Sequence, residues 1–339
     1  MRRICTHIST LVLAALMCAP LVAKGQVLPS FGGDRAGTAG WQFLKIPVDA
    51  RSSAMGHSVV SSAADASSLY WNPALAAQTT GNQLGVSHTE YFADVTMEYV
   101  AAIYHLRSFT FGANLQTLNS GEMDVTTEFE PFGTGQTFNV VDISAGLTVA
   151  QALTDLFSYG VTAKMVQESF AGVDSRTFLV DLGIFYRVGN SGAQMAVAVR
   201  NFGLDATPSG SIERIVIGET QPIVEDDFES ITPPTSFLLG VSYDIFSSRP
   251  NSDLNVNLQL SNPNDNAENW NVGAEYIWNN TLALRSGYRF GIDEAALPSF
   301  GVGLFVPYLG PTIRFDYGYN QLERLGSVHR IGLNVGFGK

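Results

Sequence analysis

The stretch Thr177-Phe178-Leu179-Val180-Asp181-Leu182-Gly183-Ile184-Phe185-Tyr186-Arg187-Val188 decides the fold. Phe178, Val180, Leu182, Ile184, Tyr186 and Val188 take alternate positions, interleaved with Thr177, Asp181, Gly183 and Arg187. A period of two marks a strand, because successive side chains point to opposite faces. The pattern recurs at 254–260, 313–319 and 331–337. A soluble sandwich would carry Lys, Glu and Thr on its water-facing set. Here the second set is Gly, Ser and Asn with a few charges. The apolar set therefore faces lipid, and the small polar set lines a crowded barrel interior.

Outward from this stretch, fourteen segments alternate: 83–88, 94–106, 108–118, 138–150, 157–168, 176–188, 192–203, 235–246, 252–261, 270–279, 281–290, 298–307, 311–319 and 328–338. Connections after even-numbered segments are short, as at Arg107 and Asn279-Asn280. Those after odd-numbered ones are mostly longer, notably 119–137 and 204–234. Short periplasmic turns and long external loops are the known asymmetry of outer-membrane barrels. Aromatic residues near segment ends suit interfacial girdles: Tyr91, Phe92, Trp270, Trp278, Tyr288, Phe290, Tyr317 and Tyr319.

Composition agrees. Of 339 residues only 15% are charged, against roughly a quarter in soluble domains, while 11% are aromatic and 33 are Gly. The formal charge of −12 argues against nucleic acid, whose phosphates need a basic surface. With 45% apolar residues the chain has ample surface to bury, which excludes disorder. Residues 1–25 read as a signal peptide: Arg2 and Arg3, an apolar run at 11–17, and the small pair Ala23 and Gly25. Its removal takes both cysteines, Cys5 and Cys18, and leaves 16 basic against 31 acidic residues, a charge of −15. The expected organisation is a leader (1–25), a plug (26–82) and a barrel (83–339).

Residues 26–82 do not alternate and are rich in Ala and Ser. Asp65 can cap a helical turn over Ala66–Tyr70, which Pro73 stops or redirects. Such a compact segment before the first strand can fold into the lumen. Arg51 is expected to pair there with Asp65 or Asp316. Asn72 before Pro73 is biased to extended or turn geometry, Gly56 permits a tight turn, and Tyr70 and Trp71 are packing anchors.

Enzymatic signals are weak. His57, His88, His105 and His329 lack zinc spacing. Asn262-Pro263-Asn264-Asp265-Asn266 has the composition of a calcium loop without its turn Gly and distal Glu, and reads as a solvated external loop. No cofactor is expected. The alternation points Glu275, Arg285, Arg289, Arg314, Asp316 and Arg330 inward, a lumen charge network in which arginine forks meet carboxylates. Loop 204–234 carries Ile215, Ile217, Ile223 and Phe228 among its acids, too apolar for a merely solvated loop and suited to docking a partner.

Both ends of the chain resemble one family. Ala36-Gly37-Thr38-Ala39-Gly40-Trp41, Phe43-Leu44-Lys45-Ile46, Asp49-Ala50-Arg51, Ala54-Met55-Gly56, Asp65-Ala66-Ser67 and Tyr70-Trp71-Asn72-Pro73-Ala74 resemble the N-terminal signature of the PorV/PorQ family. Phe315-Asp316-Tyr317-Gly318-Tyr319, Leu325-Gly326 and His329-Arg330-Ile331 resemble its end. The Asn-Pro-Ala element is also similar to the plug region of FadL-like transporters, a wider group of fourteen-stranded barrels. The resemblance implies an all-β outer-membrane barrel, not an enzyme, that serves type IX secretion. It would bind or shuttle secreted cargo, or anchor a surface complex. Its implied partners are outer-membrane lipid and the translocon, the sortase complex or cargo C-terminal domains. The alternative is a FadL-like transporter of long-chain fatty acids or other hydrophobic molecules, with a small hydrophobic ligand.

Overall fold

The computed structural model describes residues 36–338 apart from 129, 215–222, 247–250, 293–294, 296 and 307–311. The leader expected at 1–25, the start of the 26–82 segment, and Ile215 and Ile217 lie outside the described residues.

Fourteen antiparallel strands form one closed sheet. They are β1 (Asn82–Glu90), β2 (Thr96–Leu106), β3 (Phe109–Asn119), β4 (Val140–Ala152), β5 (Phe157–Phe170), β6 (Val173–Arg187), β7 (Ala193–Gly203), β8 (Ser236–Asp244), β9 (Ser252–Pro263), β10 (Asn269–Trp278), β11 (Leu282–Phe290), β12 (Ser299–Val306), β13 (Thr312–Leu322) and β14 (Gly326–Phe337). Each pairs with its sequence neighbours, and β1 closes on β14 from Asn82↔Phe337 to Glu90↔His329. Closure removes sheet edges and satisfies every ladder hydrogen bond without water. No helix among the described residues is long and apolar enough to cross a membrane; the strands do so.

Alternation governs burial along each strand. In β6, Phe178, Leu182, Ile184 and Tyr186 are exposed to the outside, while Ser175, Thr177, Asp181 and Phe185 are buried inside. Short turns follow even strands. Asn279 and Asn280 both take positive φ, 50° and 49°, the geometry of a tight two-residue hairpin. Long connections carry small extra strands: a hairpin of Met123–Asp124 with Thr137–Phe138, one of Ile212–Arg214 with Ile223–Glu225, and Ser209–Gly210 added to β6.

One irregularity matters for the lumen. Between Val180 and Leu182 the β6–β7 register shifts, so β7 carries an extra residue. Asn201 sits there with φ 56° and donates its backbone N–H to Asp181 Oδ1 at 2.7 Å. The bulge turns both Arg200 and Asn201 inward.

Residues 36–81 fill the barrel as short turns: 3-10 turns at Gln42–Lys45 and Pro73–Gln78, and helices at Ala50–Ala54 and Ser68–Trp71. Asp49 caps the first helix, accepting from Ser52 N at 2.8 Å. The second begins two residues later than expected. Asp65 Oδ1 accepts instead from Ser67 N at 2.8 Å, an Asx turn that sets the helix up rather than capping it. Pro73 then starts the next turn, with Asn72 Oδ1 accepting from Ala74 N at 3.0 Å.

The inward glycines receive this segment. A Cβ at Gly287 or Gly273 would overlap the Met55 backbone, one at Gly318 would come within 2.6 Å of Ala50 O, and one at Gly160 within 2.5 Å of the Pro73 carbonyl carbon. Backbone rests directly on wall at these points, so the segment is seated by shape as well as by charge. Substituting Gly287→Leu should therefore dislodge the segment while leaving the outer wall intact. Limited proteolysis should then release N-terminal fragments from a barrel that still migrates as folded; resistance equal to the natural protein would refute the close seating.

Candidate functional site

The lumen divides into a charge-neutral half and a cationic half. In the neutral half six ionised groups alternate in sign. Arg51 grips Glu275 with both teeth of its fork, Nε to Oε1 at 3.0 Å and Nη2 to Oε2 at 2.6 Å. Arg285 donates to Glu275 Oε1 at 2.6 Å and to Asp316 Oδ1 at 2.7 Å. Arg314 donates to Asp316 Oδ2 at 2.6 Å and to Asp65 Oδ2. Three guanidiniums thus meet three carboxylates, and each carboxylate lies between two arginines or beside one. Arg51 does not pair with Asp65 or Asp316 as expected. Seating Met55 against Gly287 and Gly273 brings Arg51 over β10, where Glu275 is the acid at hand, and leaves Asp65 to Arg314.

Asp65 shows the electrostatics. Burial raises its pKa, but Arg314 first and Arg51 next outweigh this and hold it down, from 3.8 to about 2. The remaining signature residues support the backbone. Tyr70 OH donates to Leu44 O and Ile46 O at 3.0 and 2.8 Å. Trp71 Nε1 donates to Asp49 Oδ1 at 3.0 Å, and Asn72 Nδ2 donates to Val60 O at 3.0 Å. Gly56 has φ 61°, and a Cβ there would meet Tyr288 N at 2.7 Å.

Arg289 and Arg330 do not join the network. They border two adjacent cavities of about 640 and 210 Å³ at the long-loop end, which share Lys45, His57 and Arg289. The larger also meets Trp71, Arg200, Asn201, Gln259 and Asn271. Arg200 lies 3.7 Å from the Tyr70 ring centroid, a cation–π contact. Burial first, and then the charges of Arg289, Arg330 and Arg200, hold His57 well below its usual pKa and therefore neutral.

Two further pairs bridge plug, wall and rim. Lys164 meets Asp181 at 2.8 Å across β5 and β6. Lys45 meets Asp265 at 2.8 Å, and Gln42 donates to the same carboxylate at 2.7 Å. Asp265 is buried, not part of a solvated loop, because the turn after β9 folds in over Lys45. Strand alternation carried a signal for Arg200 and Lys164, which fall in phase with inward Ala198 and Thr162.

At the rim, Ile223 opens one strand of the 212–225 hairpin, Phe228 is half-buried, and Leu204 and Val224 are exposed. Ile231 packs on the Trp41, Phe43 and Leu44 cluster, and Gly40 N donates to Thr232 O at 3.0 Å. The base of the long loop thus tethers the plug. Among the described residues no group of three or more His, Cys, Asp or Glu is set to hold a metal ion.

Residues 32–262 match the family described as type IX secretion system protein PorV. The chain belongs to the PorV family. No curated protein sequence matches it. Among solved structures it is similar to the toluene transporter TodX of Pseudomonas putida, with TM-score 0.61 and 15% identity over 86% of this chain and 99% of that one. It is also similar to the toluene transporter TbuX of Ralstonia pickettii, with TM-score 0.56 and 13% identity over 85% and 96%. At such identity these two establish the shared barrel fold. This PorV family member is accordingly an outer-membrane β-barrel of FadL-like architecture.

Two measurements probe the network. Arg51→Ala strands Glu275 beside a single arginine and should destabilise the barrel by about 3–5 kcal/mol, the usual loss when one partner of a buried pair is removed. The double variant R51A/E275A should recover part of that loss in urea unfolding from detergent, and strict additivity would sink the pairing. The second is pH. A depressed carboxylate adds stability above its unfolded value of 3.8, and that stability disappears as pH falls toward about 2. Asp65→Asn should therefore flatten the acid limb of stability between these values; an unchanged limb would argue against the Arg314 pairing.

Proposed function

We propose that this protein is a non-enzymatic component of type IX secretion. It is exported by its 1–25 leader into the outer membrane of a Gram-negative cell, where it binds secreted cargo or anchors a surface complex. One observation carries the reading: within a PorV-family barrel, the lumen is obstructed by the chain's own N-terminal segment, locked by the Arg51–Glu275 and Arg314–Asp65 pairs. An obstructed lumen moves the work to the rim. There the 212–225 hairpin offers backbone edges beside exposed Leu204 and Val224, a surface suited to adding a partner's strand. Ile215, Ile217, Ile223 and Phe228 belong to the same loop by sequence. The partners are the translocon, the sortase complex or the C-terminal domain of cargo.

Transport of hydrophobic molecules, the activity in the names of the solved neighbours, is less favoured. The internal cavities carry Arg200, Arg289 and Arg330 among their lining, and charged groups there suit an apolar ligand poorly.

Deleting residues 210–226 tests the rim. The bounds spare Ile231 and Thr232, which hold the plug, so the barrel should assemble normally. Secreted cargo or its surface complex should co-purify with the natural protein and be lost from the deletion. Undiminished co-purification by a well-folded deletion would exclude this hairpin as the docking surface. Saturable binding of a long-chain fatty acid, with no cargo captured by the natural protein, would overturn the secretion reading.

A further inference from the structure

In the cationic half of the lumen the arginines form no ion pair among the described residues, and Asp49 acts on Arg330 only from beyond contact. Arg200, Arg289 and Arg330 border the two cavities, and among the described residues no carboxylate lies within ion-pair distance of any of them. Arg330 donates only to neutral acceptors: Pro47 O at 3.3 Å, Ser53 Oγ at 2.8 Å and Asn320 Oδ1 at 2.7 Å. Arg200, itself buried, donates to Leu44 O at 3.3 Å and lies against the Tyr70 ring. The Nε atoms of both Arg200 and Arg289 are buried and make no hydrogen bond. Lys45 is the contrast, since Asp265 neutralises it. His57, between the three, stays uncharged and cannot help.

Buried guanidiniums without counter-charge are costly, and buried N–H groups left unmade add to the cost. The neutral half of the same lumen shows that this chain can supply carboxylates where it needs them. Arg200 and Arg289 on the larger cavity, with Arg289 and Arg330 on the smaller, call for more than one negative charge. A phosphate group carries about −1.5 to −2 at neutral pH and presents several oxygens to bidentate donors. A volume of about 640 Å³ is larger than phosphate needs. The additional lining offers the Gln259 and Asn271 amides to hydroxyl groups.

We propose that these cavities bind a phosphate-class dianion, either free or esterified to a hydroxylated scaffold the size of a sugar. The site is distinct from the rim hairpin and does not depend on cargo binding.

The test is calorimetric titration of the full-length barrel, purified in non-ionic detergent, with inorganic phosphate, glucose 6-phosphate, glucose and acetate at an ionic strength fixed by chloride. Phosphate and glucose 6-phosphate should bind, and glucose and acetate should not. Tighter binding of glucose 6-phosphate marks an esterified ligand; equal or weaker binding marks free phosphate. Arg289→Gln should weaken binding at least tenfold without lowering the melting temperature, since Arg289 makes no hydrogen bond among the described residues, and Arg289→Lys should restore part of it. Acetate binding as well as phosphate, or phosphate binding unchanged by R289Q, would overturn the proposal. Asp293 and Glu294 lie outside the described residues, so the D293N/E294Q protein is titrated alongside. Phosphate binding seen only in that variant would mean that the chain neutralises its own arginines, and the site would fall.

Discussion

The wall of this barrel has lipid on one side, and everything polar must be satisfied on the other. That constraint shapes the rest of the molecule. A strand exposed to hydrocarbon can carry its polar side chains only inward, so fourteen strands deliver their Asp, Glu, Lys and Arg to one enclosed space. The N-terminal segment takes up much of that space. The chain of Arg51, Glu275, Arg285, Asp316, Arg314 and Asp65 is how the segment and wall meet without stranding a charge. Each group is expensive alone and tolerable in series, because every carboxylate accepts from at least one guanidinium fork.

The wall was legible in the sequence for the same reason. Lipid enforces a strict period of two, so the expected 252–261 and 281–290 appear as Ser252–Pro263 and Leu282–Phe290. Legibility fades where strands leave the bilayer. β6 begins at Val173 rather than 176, since pairing continues into the rim where Val173-Asp174-Ser175 need not alternate for solvent. Inside, direction could be read but pairing could not. Glu275, Arg285, Arg314 and Asp316 point inward as expected, yet Arg51 finds Glu275 because of how backbone seats on Gly273 and Gly287. Periodicity says nothing about that register. The Asp265 turn misled by composition: a run of Asn, Pro and Asp reads as solvated until Lys45 is seen beneath it.

The glycines unite these observations. In the alternating strands they read simply as small lumen residues. In three dimensions Gly160, Gly273, Gly287 and Gly318 are the flat places on which the plug's backbone lies. The same absence of side chain that makes a glycine weak in an ordinary strand makes it the docking surface here.

The plug's anchors also impose an order of events. Arg51 and Glu275 are 224 positions apart, and Asp65 and Arg314 are 249 apart. The segment made first is thus neutralised by strands made last. Until β10 and β13 are in place, the plug's charges have no low-cost home in the membrane. Closure of β1 on β14 and burial of the N-terminal segment become one cooperative step, with long loops to close before any reward. A chain cut short before β13 would keep most of its wall, and Arg51 on Glu275, yet hold Asp65 without Arg314. The N-terminal segment is thus fully neutralised only on a complete wall.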